Sequence, residues 1–213
     1  MRKPITIFSL LSLLFVFLSQ DLSAEGISID VPSYTQGKEA PWADETLGID
    51  SWVTIRSHGC ALTCIAMVVS YFTGEENNPS VMNHWLQMHD GFEVDREIVD
   101  NVGQAVLNWP ALTAYGDGWV YTRFDWKALP ADIILTRYYL DHGIPVIAEV
   151  VYKGAPHYVV LTGYDEKGFT MNDPELPDEH SFSEVYNVSD TWGSGAARNL
   201  YGIRVLYPRS LTE

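Results

Sequence analysis

An α+β fold is predicted for this chain of 213 residues, on three features of its sequence. Residues 60–72 hold no Gly or Pro and are apolar on nearly every side, with Ala61, Leu62, Ile65, Ala66, Met67, Val68 and Val69 in the run. A helix hydrophobic all round belongs in the middle of a fold. The last third carries short apolar runs divided by turn residues, the pattern of an antiparallel meander. Helices come first and sheet last, which separates α+β from alternating α/β.

Taken in order, Arg2 and Lys3 begin the chain, an almost wholly apolar run follows over 5–18, and Leu22-Ser23-Ala24 ends it on a small residue. That layout is a secretory signal peptide over 1–24, and the run is short of the ~18–20 residues of a permanent membrane span. One domain is expected over 25–213, since domains usually run ~100–200 residues.

Residues 27–31 alternate apolar and polar as a strand does, and Pro32 ends it. A loop over 33–48 holds Gln36, Pro41 and Trp42, and 51–55 is a second short strand. Ser57-His58-Gly59 is a flexible lead-in to the helix of 60–72, which Gly74 stops. Asn78-Pro79-Ser80 opens a helix over 81–89, and a third helix is expected over 96–107. After a turn-rich stretch come a strand over 119–124 and a helix over 131–141, stopped by His142-Gly143. Strands over 145–151, 157–164 and 169–172 follow, joined by turns at Tyr152-Lys153-Gly154 and at 165–168, and a strand over 202–207 closes the fold.

Composition narrows the function. A hydrophobic fraction of 46% is enough to fill a core, and a net charge of −15 repels phosphate backbones, so nucleic acid is excluded as a partner. Removing residues 1–24 takes away Arg2, Lys3 and Asp21 and leaves the chain slightly more negative. The two cysteines, Cys60 and Cys64, stand one helical turn apart. A bond between them would close too short a loop to stabilise much.

Cys60 opens the buried helix, where free backbone amides and the macrodipole put partial positive charge beside the sulfur. That favours the thiolate, the nucleophilic form of cysteine. Gly59 before it would let a substrate backbone approach. The plainer alternative is a cysteine acting as a small core hydrophobe, and for Cys64, one turn deeper, that alternative wins.

His157 opens a strand after Pro156, facing a cleft, while Val159, Val160 and Leu161 go to the core. Asp173 follows the next strand, in Asn172-Asp173-Pro174. A hairpin folded at residue 165 returns Asp173 to the level of His157, where a carboxylate fixes the imidazole tautomer. The competing readings are a surface histidine and an Asp-Pro turn. Gln36 is a weaker candidate, an amide donor for an oxyanion.

A zinc site from His58, Cys60, Cys64 and His157 is disfavoured, because structural zinc takes ligands in short-spaced pairs on loops or hairpins. The seven Trp and twelve Tyr fit a peptide or glycan groove, but without periodic placement they fit a core better. Asn187-Val188-Ser189 is a glycosylation sequon, meaningful only in a eukaryotic secretory route.

Several segments resemble one family. Val31-Pro32-Ser33-Tyr34-Thr35-Gln36, Trp42, and Gly59-Cys60-Ala61-Leu62-Thr63 leading to Ala66-Met67-Val68 are similar to the bacteriocin-processing, or double-glycine, peptidases. These form cysteine-peptidase family thirty-nine, and the similarity is to its stand-alone "like" branch. The run from Asn78 to Leu86, Gly143-Ile144-Pro145-Val146-Ile147, the run from His157 to Tyr164, and Asn172-Asp173-Pro174 continue the likeness in the family's order. The resemblance implies a papain-like fold, a central helix packed on an antiparallel sheet. It implies Cys60 as nucleophile, His157 as base, Asp173 as orienting carboxylate and Gln36 as oxyanion donor, with no metal or organic cofactor. Family members that process bacteriocins commonly sit on cytoplasmic transporters, whereas this chain carries an export signal. A double-glycine leader is therefore not implied as its substrate. The expected function is a secreted or periplasmic cysteine peptidase acting on a peptide or protein, with no stable membrane anchor after signal cleavage. An amidase or transferase acting on cell-wall peptides, and a non-catalytic peptide- or glycan-binding module, are the alternatives. Residues 91–130 resemble the family least and are expected to shape the cleft.

Overall fold

The computed structural model describes residues 26–94, 103–125, 133–186 and 200–212. The signal-peptide expectation for 1–24 and most of the helix expected over 96–107 lie outside them. Among the described residues no helix is long and apolar enough to cross a membrane.

The elements run β1 (Ile27–Ser28), α1 (Ile55–His58), α2 (Cys60–Thr73), α3 (Pro79–Met88), β2 (Phe92–Val94), β3 (Gln104–Leu107), β4 (Trp119–Asp125), α4 (Ile133–Asp141), β5 (Val146–Tyr152), β6 (Ala155–Asp165), β7 (Gly168–Asn172), α5 (Phe182–Tyr186) and β8 (Gly202–Pro208). Among the described residues, six strands form one antiparallel sheet in the order β1-β6-β5-β8-β4, with β7 also paired to β6. The order of helices then sheet gives the α+β class expected from the sequence.

α2 forms because nothing in it breaks a helix, and it is central because nothing in it tolerates water. Leu62 to Val69 are all fully buried, Thr63 and Cys64 included. Gly74 ends the helix in the left-handed region (φ 71°), with its N–H on the Ser70 carbonyl. α3 starts as Asn78 caps Val81 N–H and Pro79 sits in the first turn. The sheet packs on α2 through β6 and β8. β5, inside the sheet, buries Val146, Ile147, Ala148 and Val150 completely. Burying a side chain of that size stabilises by roughly 1.5–3 kcal/mol.

Three expectations are corrected. β3 is a strand where a helix was expected, paired antiparallel with β2 in a small separate two-stranded sheet. Its apolar residues satisfy a short helical spacing, but its hydrogen bonds go to Phe92–Val94 and, from Gln104, to Ile49. Residues 51–55 make only a bridge, Thr46 to Thr54, and the chain then turns into α1, capped by Thr54 and Ser57 reciprocally. β1 is two residues long rather than five, although Ile29 N–H still bonds the Thr162 carbonyl.

Candidate active site

The first residue of α2 is Cys60, and it is partly exposed while the helix behind it is buried. Gly59 joins α1 to α2. A Cβ there would stand 2.4 Å from the Ile55 carbonyl oxygen and 2.7 Å from Ile55 Cγ2. The space that the sequence reading left for substrate beside Gly59 is therefore taken by α1. The glycine is needed so that two helices can meet at the sulfur.

His157 lies near the start of β6, opposite Val150 of β5. By strand alternation Val159 and Leu161 share its face and are fully buried. The residue is 6% exposed, and its Nε2 meets Asp173 Oδ1 at 2.8 Å. The β6–β7 turn falls at Asp165–Gly168, as expected, but the register shifts between Leu161 and Gly163. Val160 pairs with Asn172, so Asp173 comes level with Val159. It is a diagonal rather than a direct neighbour of His157, and its carboxylate reaches back along the strand.

Asp173 is fully buried. Oδ1 also accepts from the backbone N–H of Glu175 (2.9 Å) and Leu176 (3.4 Å), and Oδ2 accepts from the Tyr186 hydroxyl at 2.5 Å. Burial alone would favour the neutral acid, but the bonds from His157, Tyr186 and the backbone outweigh it and hold the carboxyl below its usual range. The same contest decides the imidazole. Burial lowers its pKa, while hydrogen bonds and charge from Asp173 and Cys60 push it up to about 9. At neutral pH the pair is an imidazolium and a carboxylate. With Nε2 committed to Asp173, Nδ1 is the nitrogen left for Cys60.

Gln36 is 5% exposed. Its backbone N–H bonds the Pro174 carbonyl at 2.9 Å, and its side-chain Nε2 donates to the Arg56 carbonyl at 2.9 Å. Thr35 Oγ1 donates to the same Pro174 carbonyl. The loop is thus clamped between the Asp173 segment and α1. One Nε2 hydrogen is used on Arg56, and the residue lines the cleft. Cys64 lies in the core as expected, its thiol pushed up by burial first and then by the charges of Cys60 and Asp173.

Cys60, His157 and Gln36 line one cleft of about 670 Å³, and Asp173 backs it from behind His157. One wall is Ala105, Val106 and Leu107 of β3. The other is the β5–β6 hairpin, whose two-residue turn puts Lys153 (φ 50°) and Gly154 (φ 84°) in the left-handed region. Trp109 and Tyr158 also line the cleft, and both stand over the buried guanidinium of Arg204, at 5.6 and 5.2 Å. Arg204 is in turn paired with Glu149 at 2.6 Å. Part of the segment expected to shape the cleft does line it, through β3 and Trp109.

All four candidates from the sequence are brought together. Tyr186 and α1 were not foreseen. α5 is too short to show a period, and the Thr54–Ser57 capping pattern in front of α1 was the available signal for that turn.

A cysteine at a helix start, set before an imidazole that a carboxylate holds, on an α+β frame, is the arrangement of a cysteine peptidase-like protein. The Peptidase_C39 like family supplies a model that matches residues 28–194, and the chain belongs to that family. Among solved structures it is similar to a "putative C39-like peptidase" from Bacillus anthracis, at 16% identity, covering 85% of this chain and 97% of that one, with a TM-score of 0.48. No curated protein matches the chain.

Proposed function

We propose that the chain is a secreted or periplasmic cysteine peptidase of papain-like build that hydrolyses peptide bonds through Cys60, His157, Asp173 and Gln36. The observation that carries this reading is the 2.8 Å His157–Asp173 bond behind a ring that lines the same cleft as Cys60.

The Cys60 thiolate attacks the scissile carbonyl carbon, forming a C–S bond. The oxyanion is held by the Cys60 backbone N–H at the free start of α2 and by the spare Nε2 hydrogen of Gln36. His157, already an imidazolium, gives its proton to the leaving amine as the C–N bond breaks. A thioester remains. Neutral His157 then takes a proton from water, the hydroxide adds to the thioester, and the acid leaves as the thiolate re-forms. Asp173 keeps one tautomer and one ring orientation throughout. Export is supported by Arg2 and Lys3 ahead of the apolar run of 5–18. The cleft lined by β3 and the β5–β6 hairpin is where the substrate would lie.

The test is Cys60→Ala against wild type on a pool of fluorogenic peptides. Hydrolysis by wild type and none by the variant, with the same melting temperature, supports the reading. Hydrolysis retained in the variant refutes it.

A further inference from the structure

We propose that Tyr186 is a positioning residue of the same site, holding Asp173 ionised and aimed so that His157 keeps its orientation. This rests on the peptidase reading for its kinetic consequence but on geometry alone for its structural one.

The two oxygens of Asp173 are supplied unequally. Oδ1 takes His157 Nε2 and two backbone N–H groups. Oδ2, among the described residues, takes Tyr186 at 2.5 Å. In a fully buried carboxylate an oxygen without a donor is costly, because water does not replace the lost bond. Two relaxations would follow: the carboxyl protonates more readily, or it swings to share its unsatisfied oxygen with the donors on Oδ1. Each one loosens the imidazole. A hydrogen bond to a charged oxygen at this length is among the strong kind, and it ties Asp173 to α5.

The ring of Tyr186 is held independently of its hydroxyl. It packs 5.4 Å from Phe182 and 6.4 Å from Tyr152, and its residue is 5% exposed. Phenylalanine would fill the same space. It also stands 6.5 Å from the His157 ring, which Tyr152 approaches to 5.6 Å. The aromatic pair thus screens the His157–Asp173 bond from water.

Other titratable groups face Asp173 from the packed elements. They are His157 from β6, and Cys60 and Cys64 from α2. From β5, Tyr152 reaches Tyr186 and His157, and Glu175 follows on Asp173's own segment. Of the side chains among the described residues, His157 and Tyr186 are the ones that hydrogen-bond the carboxylate, beside the Glu175 and Leu176 amides. Tyr186 and His157 then set that titration, with the Glu175 amide. The hydroxyl itself is pushed far up by burial and by Asp173, so it stays a donor throughout.

The test follows the Asp173 carboxyl by ¹³C NMR in wild type, Tyr186→Phe and Phe182→Leu. Tyr186→Phe is expected to raise the Asp173 titration by about one pH unit, a tenfold change, as loss of one charged hydrogen bond implies. Phe182→Leu, which removes packing from the same helix, lowers the melting temperature and leaves the titration in place. On the fluorogenic peptide pool, Tyr186→Phe is expected to lose about tenfold or more in kcat at nearly constant KM. An unmoved Asp173 titration in Tyr186→Phe, or an equal shift in Phe182→Leu, overturns the proposal. If Tyr186→Phe does not fold, wild type decides alone: the hydroxyl must give a downfield, slowly exchanging proton that vanishes as Asp173 protonates, and its absence overturns the proposal. If wild type cleaves no peptide, the peptidase reading fails while the carboxyl titration still decides the role of Tyr186.

Discussion

Replacing His157 by Gln should remove a pH-dependent contribution to stability. In the folded protein the imidazole pKa is raised from 6.5 to about 9. The two values stand about 2.5 pH units apart, and each unit is worth ~1.4 kcal/mol, about 3 kcal/mol together. The side chain is 7% exposed, so solvent screens little of this. The sign follows from the direction. A group whose folded pKa lies above its unfolded one contributes fully below the unfolded value and loses its contribution as pH rises through the folded value. Wild type should therefore lose about 3 kcal/mol relative to His157→Gln between pH 6 and pH 9.5. Urea unfolding followed by tryptophan fluorescence, at half-unit steps across that window, measures it. Asp173→Asn keeps the Cys60 part of the effect and should show a smaller pH slope than wild type. A wild-type-minus-variant difference that stays constant across the window would mean that His157 is not held as an imidazolium, and the electrostatic account of the site would fall.

Two further outcomes test other parts of the structure. Gln36→Ala should lower kcat on the peptide pool by roughly 10²–10³-fold if its amide helps bind the oxyanion, and should destabilise by about 1 kcal/mol through the lost bond to the Arg56 carbonyl; an unchanged kcat removes Gln36 from the mechanism. Gly59→Ala should destabilise by about 1–3 kcal/mol, because the new methyl meets the Ile55 backbone 2.4 Å away, and thermal melting reads this directly.

The features legible in the sequence are those written in local pattern. α2 shows itself by an unbroken apolar run with a glycine after it, and β5, β6 and β7 by apolar runs cut at Lys153-Gly154 and at Asp165–Gly168. Cys60, His157 and Asp173 are found because each sits at or near an end of such an element, Cys60 and His157 on the cleft and Asp173 buried behind them. What escapes depends on partners remote in the chain. β3 is a strand because Phe92–Val94 pairs with it, and four residues with helical spacing do not announce that. Gly59 looks like room for a substrate until Ile55 is seen against it. Tyr186 joins the site through a hydroxyl on Asp173, and its five-residue helix is too short for periodicity to reveal.

The central claim is that Cys60 is activated by the imidazolium of His157. Iodoacetamide labelling of the protein lacking residues 1–24, at neutral pH with the modified residue assigned by mass spectrometry, tests it most directly. Fast alkylation confined to Cys60 is expected in wild type, with Cys64 unmodified in the core, and labelling of Cys60 at least tenfold slower in His157→Ala. Equal rates in the two proteins, at the pace of an ordinary thiol, would contradict it.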